Sequence, residues 1–280
     1  MVSITIAMGT SIFDSILKDM PEECKQTNSM SYHDYALKQC EWYNESTGDL
    51  DISDGYDCAE CKNRGYFQVL DGEDNKVMRP CRCQKVRTFI RTMQASGLGD
   101  LYRKCTFDRY TVGNEWQREC KETALNYAKS DTKEWLYFAG QSGCGKTHLC
   151  TAICSYLARH GNGIVYAQWK RLYDKLVQTR YKEAEYSRTL KSVIEADILY
   201  IDDFLKMPRN VQPTDDMLSI ALEIVDARYK SSARTLFSTE YSIEQIITFD
   251  EALGGRILER ARKNTIQVSR GSDRNYRKKE

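Results

Sequence analysis

Residues 140–147 of this sequence read GQSGCGKT, that is Gly140, Gln141, Ser142, Gly143, Cys144, Gly145, Lys146 and Thr147. The segment fits the pattern GxxxxGK[ST]. In that pattern, glycines allow a tight turn whose backbone N–H groups bind phosphate at a helix N-terminus. Lys146 then places its charge against the β and γ phosphates, and Thr147 offers a hydroxyl to Mg²⁺. We therefore predict that this segment and His148 contact a nucleoside triphosphate.

The flanking segments have the order that such a phosphate-binding loop requires. An apolar strand, WLYFA (135–139), precedes the loop, and THLCTAICSYLA (147–158) has helical spacing. Further strands are predicted at 163–168, 197–202, 235–239 and 265–268, with helices from 168 to about 183 and at 215–229, 243–249 and 251–263. Strands that alternate with amphipathic helices predict a parallel sheet covered on both faces.

Acidic residues follow two of these strands. Asp202 is the last residue of DILYID. Because the carboxyl end of a parallel strand lies beside the phosphate-binding loop, Asp202 is the candidate for holding Mg²⁺ together with Thr147. Asp203 is the candidate for polarising the attacking water. Thr239 or Glu240, in TLFSTE, is a candidate for reaching the γ-phosphate region; the alternative is a solvated strand end.

Two arginines in GGRILERARK (254–263) suggest a further role. Arg256 and Arg260 are four residues apart and so share one helical face. A guanidinium that reaches the nucleotide of a neighbouring subunit would act as an arginine finger. The alternative is a solvated basic face.

The sequence contains eleven cysteines, and four of them form two close pairs. Cys58-x₂-Cys61 and Cys81-x-Cys83 are separated by nineteen residues, which include a predicted hairpin at 65–70 and 76–79. Two thiolate pairs brought together in this way predict a tetrahedral zinc site. Because four protein ligands leave no open position, the predicted zinc ion is structural.

Composition limits the other possibilities. The 280 residues include 41 basic and 40 acidic side chains, so net charge does not favour nucleic acid or a membrane as partner. No apolar run of about 18 residues occurs, and the first residues lack a basic segment and a cleavage site. We therefore expect a cytoplasmic protein without a membrane partner. Helices predicted at 12–19 and 31–43 carry no chemical motif.

Taken together, the motifs resemble the IstB-like DnaC/DnaI-type replicative helicase loaders, which are AAA+ ATPases. The resemblance covers about residues 53–277. It is carried by the cysteine segment, FDRY (107–110), EWQRECKETALNYA (115–128), GQSGCGKTHL, YAQW, ADILYIDDF, FSTEYS and GGRILER. It implies an α/β fold, an AAA+ P-loop NTPase sheet flanked by helices and preceded by a small helical and zinc-binding region.

The resemblance also implies roles for individual residues. Lys146 and Thr147 fall at the Walker A positions, and Asp202 and Asp203 at the Walker B positions. Glu240 falls at sensor 1. Arg256, or alternatively Arg260, falls at the arginine finger. Residues 107–110 lie where such proteins approach the adenine. The implied cofactors are ATP or ADP, Mg²⁺ and structural Zn²⁺.

The resemblance further implies partners and a domain organisation. The partners are a DnaB-type replicative helicase, single-stranded DNA and other copies of the chain, which associate through the ATPase domain. We expect a helicase-interaction region at 1–86 with the zinc segment at 53–86, a linker helix at 87–112, and an AAA+ domain at 113–280. The implied function is ATP-dependent delivery of the helicase to single-stranded DNA during replication initiation.

Two departures from the family pattern lead us to expect slow hydrolysis. Many AAA+ proteins have Glu where this chain has Asp203, whose side chain is one methylene shorter. Many also have Asn where this chain has Glu240, and an unpaired acid there would repel the γ-phosphate. The motifs leave two other functions open. One is an IstB-like transposition helper, which is not expected to carry the cysteine segment. The other is a binding adaptor that does not hydrolyse ATP.

Overall fold

The computed structural model describes residues 31–50, 52–53, 55–208 and 211–275. The chain forms two compact units. The smaller unit contains the described residues up to Thr47 together with Tyr66–Arg79, and the larger unit contains Gly48–Gly65 and the chain from Pro80 onward. The predicted helix at 12–19 lies outside the described residues.

The smaller unit consists of one helix and one hairpin. Helix α1 (Tyr32–Glu45) begins after Ser31, whose side chain accepts a hydrogen bond from the Asp34 N–H. Strands β1 (Tyr66–Leu70) and β2 (Lys76–Pro80) form a two-stranded sheet. The Asn44 side chain bonds both the N–H and the carbonyl of Gln68, each at 2.8 Å, and so ties α1 to β1. The predicted hairpin and the predicted helix at 31–43 are confirmed.

The larger unit alternates helices and strands from Cys83 onward. Its helices are α2 (Cys83–Ala95), α3 (Leu101–Lys104), α4 (Glu115–Lys129), α5 (Lys146–Arg159), α6 (Trp169–Thr179), α7 (Glu183–Ile194), α8 (Asp215–Ser231), α9 (Ile243–Phe249) and α10 (Glu251–Ala261). Its strands are β3 (Leu136–Gly140), β4 (Ile164–Gln168), β5 (Ile198–Asp202), β6 (Arg234–Thr239) and β7 (Thr265–Val268). No described helix is both long enough and apolar enough to cross a membrane.

The five strands of the larger unit form one sheet in the order β4-β5-β6-β3-β7, and every neighbouring pair is parallel. Residues of β3 alternate between its two faces. Leu136 and Phe138 pack in one core with α2, α4 and α5, whereas Tyr137 and Ala139 pack in a second core with α6, α8, α9 and α10. The predicted parallel sheet, flanked by helices on both faces, is confirmed.

One predicted helix ends earlier than expected. Helix α6 ends at Thr179, not near residue 183, and a separate helix, α7, follows. The chain turns where the Lys182 N–H donates to the Thr179 carbonyl at 2.8 Å. Glu183 and Glu185 then lie in the first turn of α7, where acidic side chains interact favourably with the helix dipole.

A fully buried arginine holds α7 and α8 against the sheet. The guanidinium of Arg228 donates to the carbonyls of Val193, Ile194 and Ala196 at the end of α7, at 2.8 to 2.9 Å. It also donates to Arg234 O at 2.6 Å and Thr235 Oγ1 at 2.7 Å on β6. Burial lowers the pKa of Arg228 to about 10, so the group remains charged at neutral pH. Arg228 therefore supplies the partners that these buried oxygens require.

We expect Arg228→Met to lower the free energy of unfolding by about 3 kcal/mol, because several buried oxygens would lose their donors. Arg188→Met changes an exposed arginine in the same way and serves as the control. Urea unfolding of both variants measures the difference. Equal stability of the two variants would contradict the structural role of Arg228.

Candidate nucleotide-binding site

The phosphate-binding loop joins β3 to α5, as predicted. Gly145 precedes α5 with φ of +98°, in the left-handed region that favours glycine. A Cβ atom at Gly145 would also lie 2.9 Å from the Tyr110 ring. The loop therefore needs glycine at position 145 for its backbone conformation and for its contact with Tyr110.

Lys146 is 5% exposed and lies beneath the loop. Its Nζ donates to Gly140 O at 2.7 Å and to Gln141 O at 3.0 Å. The first turn of α5 points its N–H groups toward the same loop, which is the arrangement that binds anions at helix N-termini. The loop thus combines a buried cation with backbone N–H groups at a helix N-terminus.

Asp202, at the end of β5, is the centre of a hydrogen-bond network. It is 3% exposed, and its Oδ1 accepts from Thr147 Oγ1 at 3.0 Å, from Tyr200 OH at 2.8 Å and from Ser238 Oγ. Its Oδ2 accepts from Tyr166 OH at 2.9 Å. Burial, together with the nearby carboxylate, raises the pKa of Tyr166 and Tyr200 far above the usual range, so both remain hydrogen-bond donors. The structure therefore places the two predicted Mg²⁺ ligands, Thr147 and Asp202, in direct contact.

Asp203 and Glu240 are joined by a residue that the sequence did not single out. Lys206 Nζ lies 3.1 Å from Asp203 Oδ2 and 3.3 Å from Glu240 Oε1. Partial burial disfavours the charge on this lysine, but the two carboxylates outweigh it and raise the pKa of Lys206. The three-residue spacing from Asp203 is a visible signal, whereas the contact with Glu240 arises only from the fold.

A cleft of about 300 Å³ lies next to the loop. Its lining brings together predicted nucleotide contacts, namely Ser142, Gly143, Gly145, Lys146, Thr147 and His148, with Asp203, Lys206 and Arg109 to Thr111. Gly140, Gln141 and Glu240 line a neighbouring cleft instead. The Cys144 side chain is fully buried in the core. Of residues 107–110, which the resemblance places near the adenine, Arg109 and Tyr110 line this cleft.

His148 is held by the connector before α4. Its Nε2–H donates to Thr106 O at 2.8 Å, and its ring meets that of Tyr110 edge to face at 5.3 Å. Burial lowers the pKa of His148 from its ordinary value of 6.5. The ring is therefore neutral at neutral pH and offers no cation to phosphate.

Neither predicted arginine lines the nucleotide cleft. Arg256 Nε pairs with Asp226 at 3.0 Å across α10 and α8, with the Arg256 side chain 32% exposed. The Arg260 guanidinium lies over the Trp135 ring, 5.8 Å from its centroid. Both arginines are partly exposed.

The four predicted cysteines lie together. The Sγ atoms of Cys58, Cys61, Cys81 and Cys83 are within 4.8 Å of one another, and all four residues are buried. The Cys61–Cys83 and Cys58–Cys81 sulfur distances are 3.5 and 3.8 Å. Tetrahedral zinc, with Zn–S bonds of about 2.3 Å, separates its sulfurs by roughly 3.8 Å. The cluster therefore fits one four-coordinate ion.

Backbone N–H groups stabilise negative charge on the sulfurs of the cluster. The Gly65 N–H donates to Cys61 Sγ at 3.2 Å, and the Cys83 N–H donates to Cys81 Sγ at 3.5 Å. Burial raises the pKa of Cys81 to about 12, so this sulfur needs a positive ion to be a thiolate at neutral pH.

The cluster belongs to the larger unit. Cys83 is the first residue of α2, whose Phe89 and Ile90 are buried in the same core as Leu149 and Ile153 of α5. The Arg87 guanidinium donates to Tyr56 O at 3.0 Å and ties the cysteine segment to α2. The cysteine segment is thus packed within the nucleotide-binding unit, although it precedes the phosphate-binding loop in the sequence.

Comparison with known proteins identifies the family. A family model described as IstB-like ATP binding protein matches residues 77–280. The chain belongs to this IstB-like family. Phage-like element PBSX protein XkdC of Bacillus subtilis (strain 168) is 31% identical over 214 residues, which are 73% of this chain and 79% of that protein.

Other relatives of this IstB-like chain have names connected with replication. Replicative helicase loader DnaC of Escherichia coli (strain K12) is 27% identical over 176 residues, 61% of this chain and 69% of that protein. The solved structure of replication initiator DnaA bound to AMPPCP and single-stranded DNA matches with a TM-score of 0.50 at 16% identity. That match covers 60% of this chain and 50% of the DnaA chain, and it shows the AAA+ fold alone.

We expect Lys146→Ala to weaken ATP binding by about two orders of magnitude or more, because the only buried cation at the described loop would be lost. Lys170→Ala removes an exposed lysine that pairs with Asp174 and is the matched control. Isothermal calorimetry with a non-hydrolysable ATP analogue measures both variants. ATP affinity unchanged in Lys146→Ala would remove this loop from the site.

Proposed function

We propose that this chain is an ATP-dependent loader that delivers a DnaB-type replicative helicase to single-stranded DNA. The observation that supports the proposal most is the direct hydrogen bond from Thr147 to Asp202 beside the phosphate-binding loop. This contact provides a hydroxyl and a carboxylate together, as a triphosphate-bound Mg²⁺ requires. The similarity to proteins named replicative helicase loader DnaC supports the choice of partner.

In the proposed ATPase site each residue has one task. Lys146 and the loop N–H groups bind the β and γ phosphates, and Thr147 and Asp202 hold Mg²⁺, which neutralises charge on the phosphates. Asp203 polarises the attacking water, and Glu240 occupies the sensor 1 position. Because the Asp203 side chain is short and paired with Lys206, we propose that hydrolysis is slow and that ATP acts mainly as a switch.

The proposed assembly uses Arg256 as an arginine finger toward a neighbouring copy of the chain, with Arg260 as the alternative. Arg256 is partly exposed and shares Asp226 with Lys230, so its guanidinium is able to exchange one carboxylate partner for a phosphate. ATP bound between copies would in this way order the assembly.

We propose that residues 1–86 include the helicase-binding region with its zinc segment at 53–86, that 87–112 form a linker helix and connector that pack on the ATPase domain, and that 113–280 is the ATPase domain. Described parts of the smaller unit support the first assignment, because Tyr32, Leu37 and Trp42 on α1 are 67%, 42% and 56% exposed. Large exposed apolar side chains on one helix are typical of protein–protein contacts.

We also propose that Cys58, Cys61, Cys81 and Cys83 bind one structural Zn²⁺. The purified chain is expected to contain about one zinc ion, measured by plasma mass spectrometry. A strong chelator should lower the melting temperature of the wild-type chain, because α2 begins at a ligand and packs on α5. Cys83→Ser should start with a lower melting temperature and respond less to chelator. A metal-free wild-type chain that melts at an unchanged temperature with chelator would contradict the zinc site.

The decisive experiment for the proposed function is reconstitution with the DnaB-type helicase of the same host. We expect a complex whose amount increases with ATP, and faster transfer of helicase onto a circular single-stranded DNA than with helicase alone. Lys146→Ala should lose the ATP dependence, whereas Lys170→Ala should keep it. Absence of a complex with and without ATP would contradict the loader function.

An IstB-like transposition helper is the second candidate, because the matching family model is described as IstB-like ATP binding protein. Such a protein would assemble on duplex DNA with ATP. Binding of single-stranded and duplex DNA in parallel, each with and without ATP, separates the two candidates.

A further inference from the structure

Lys206 occupies a position between two acidic residues of the proposed ATPase site. Its Nζ contacts Asp203 on one side and Glu240 on the other, at 3.1 and 3.3 Å. The side chains of Asp203 and Glu240 are only 28% and 31% exposed, so solvent screens their charges incompletely. Lys206 also lines the nucleotide cleft together with Lys146 and Thr147.

The backbone around Lys206 is firmly fixed. Asp203 and Leu205 both have positive φ, at +54° and +57°, which is uncommon for residues other than glycine. The surrounding structure stabilises this turn: the Phe204 N–H donates to Ser238 O at 2.8 Å, and Thr239 Oγ1 donates to Phe204 O at 2.8 Å. Strained backbone conformations that neighbouring bonds hold in place are typical of functional sites. The turn thus places Lys206 against the end of β6.

The charges near the cleft explain why a lysine is needed there. A triphosphate would approach Lys146 and the loop, while Asp203 and Glu240 add two negative charges beside the cleft. Among the described groups, Lys206 is the cation in contact with both acids. Without a cation between them, the two carboxylates would repel each other and the γ-phosphate.

We propose that Lys206 is a positioning residue that holds the Glu240 carboxylate away from the γ-phosphate and so makes an acidic side chain at that position compatible with triphosphate binding. The inference rests on the proposed ATPase site and adds the residue that discriminates ATP from ADP. Because ADP lacks the γ-phosphate, Lys206 affects the affinity for ATP and leaves that for ADP nearly unchanged.

The test compares ATP and ADP affinities by calorimetry at low ionic strength, with a non-hydrolysable analogue in place of ATP. Lys206→Met should weaken binding of the ATP analogue about tenfold and change ADP binding by less than about twofold. The double variant Lys206→Met/Glu240→Gln should regain the analogue affinity, because no carboxylate at position 240 then needs a cation. Lys206→Arg should resemble the wild type.

Several outcomes would overturn the inference. Equal losses of affinity for the ATP analogue and for ADP in Lys206→Met would indicate a structural role. A lower melting temperature of this variant would identify loss of structure as the cause. Failure of Glu240→Gln to restore affinity, or restoration by Asp203→Asn instead, would exclude the role through Glu240. Unchanged analogue affinity in Lys206→Met would refute the inference while leaving the proposed function intact. A wild-type chain that binds neither nucleotide would refute the proposed function and the inference with it.

Discussion

The geometry of the nucleotide-binding site depends on the buried carboxylate of Asp202. A carboxylate that is almost completely removed from water must receive hydrogen bonds, and here hydroxyl groups from four elements supply them. Tyr166 comes from β4, Tyr200 from β5, Ser238 from β6 and Thr147 from α5. Satisfying this one carboxylate therefore aligns three neighbouring strands and the helix that follows the phosphate-binding loop. The sheet and the loop are coupled because they share this acceptor.

The adjacent acids Asp202 and Asp203 have different surroundings. Asp202 is enclosed by neutral hydroxyl groups, whereas Asp203 turns away through a left-handed backbone conformation and meets a lysine. Two adjacent acids thus lie in different environments, one among hydroxyl groups and the other beside a lysine. The Lys206 contact also reaches Glu240, the residue that follows β6, so the ends of β5 and β6 are connected twice, once by Ser238 and once by this ion pair.

Motif spacing and the alternation of strands and helices predicted several features of the larger unit. The strand at 265–268, the phosphate-binding loop and the pairing of Thr147 with Asp202 followed from spacing and from the rule that parallel strands end at one edge. The bridge from Lys206 to Glu240 was missed because the two residues are distant in sequence and meet only across strands. Helix α7 was missed because its surface is mostly polar and its partner, Arg228, approaches from a different helix. The roles assigned to individual site residues stay predictions.

The hairpin interrupts the chain of the larger unit between Gly65 and Pro80, and this has a practical consequence. Gly65 and Cys81 flank the hairpin, and the Cys81 N–H donates to Gly65 O at 2.8 Å, so the two ends of the insertion already touch. A short glycine linker in place of the hairpin would leave all four cysteines and helix α2 in the chain. Cutting the chain at residue 113 would instead remove α2 and uncover the apolar side of α5. Protein engineers who want the nucleotide-binding unit by itself should therefore replace the hairpin with a linker and keep the rest of the chain from residue 48 onward.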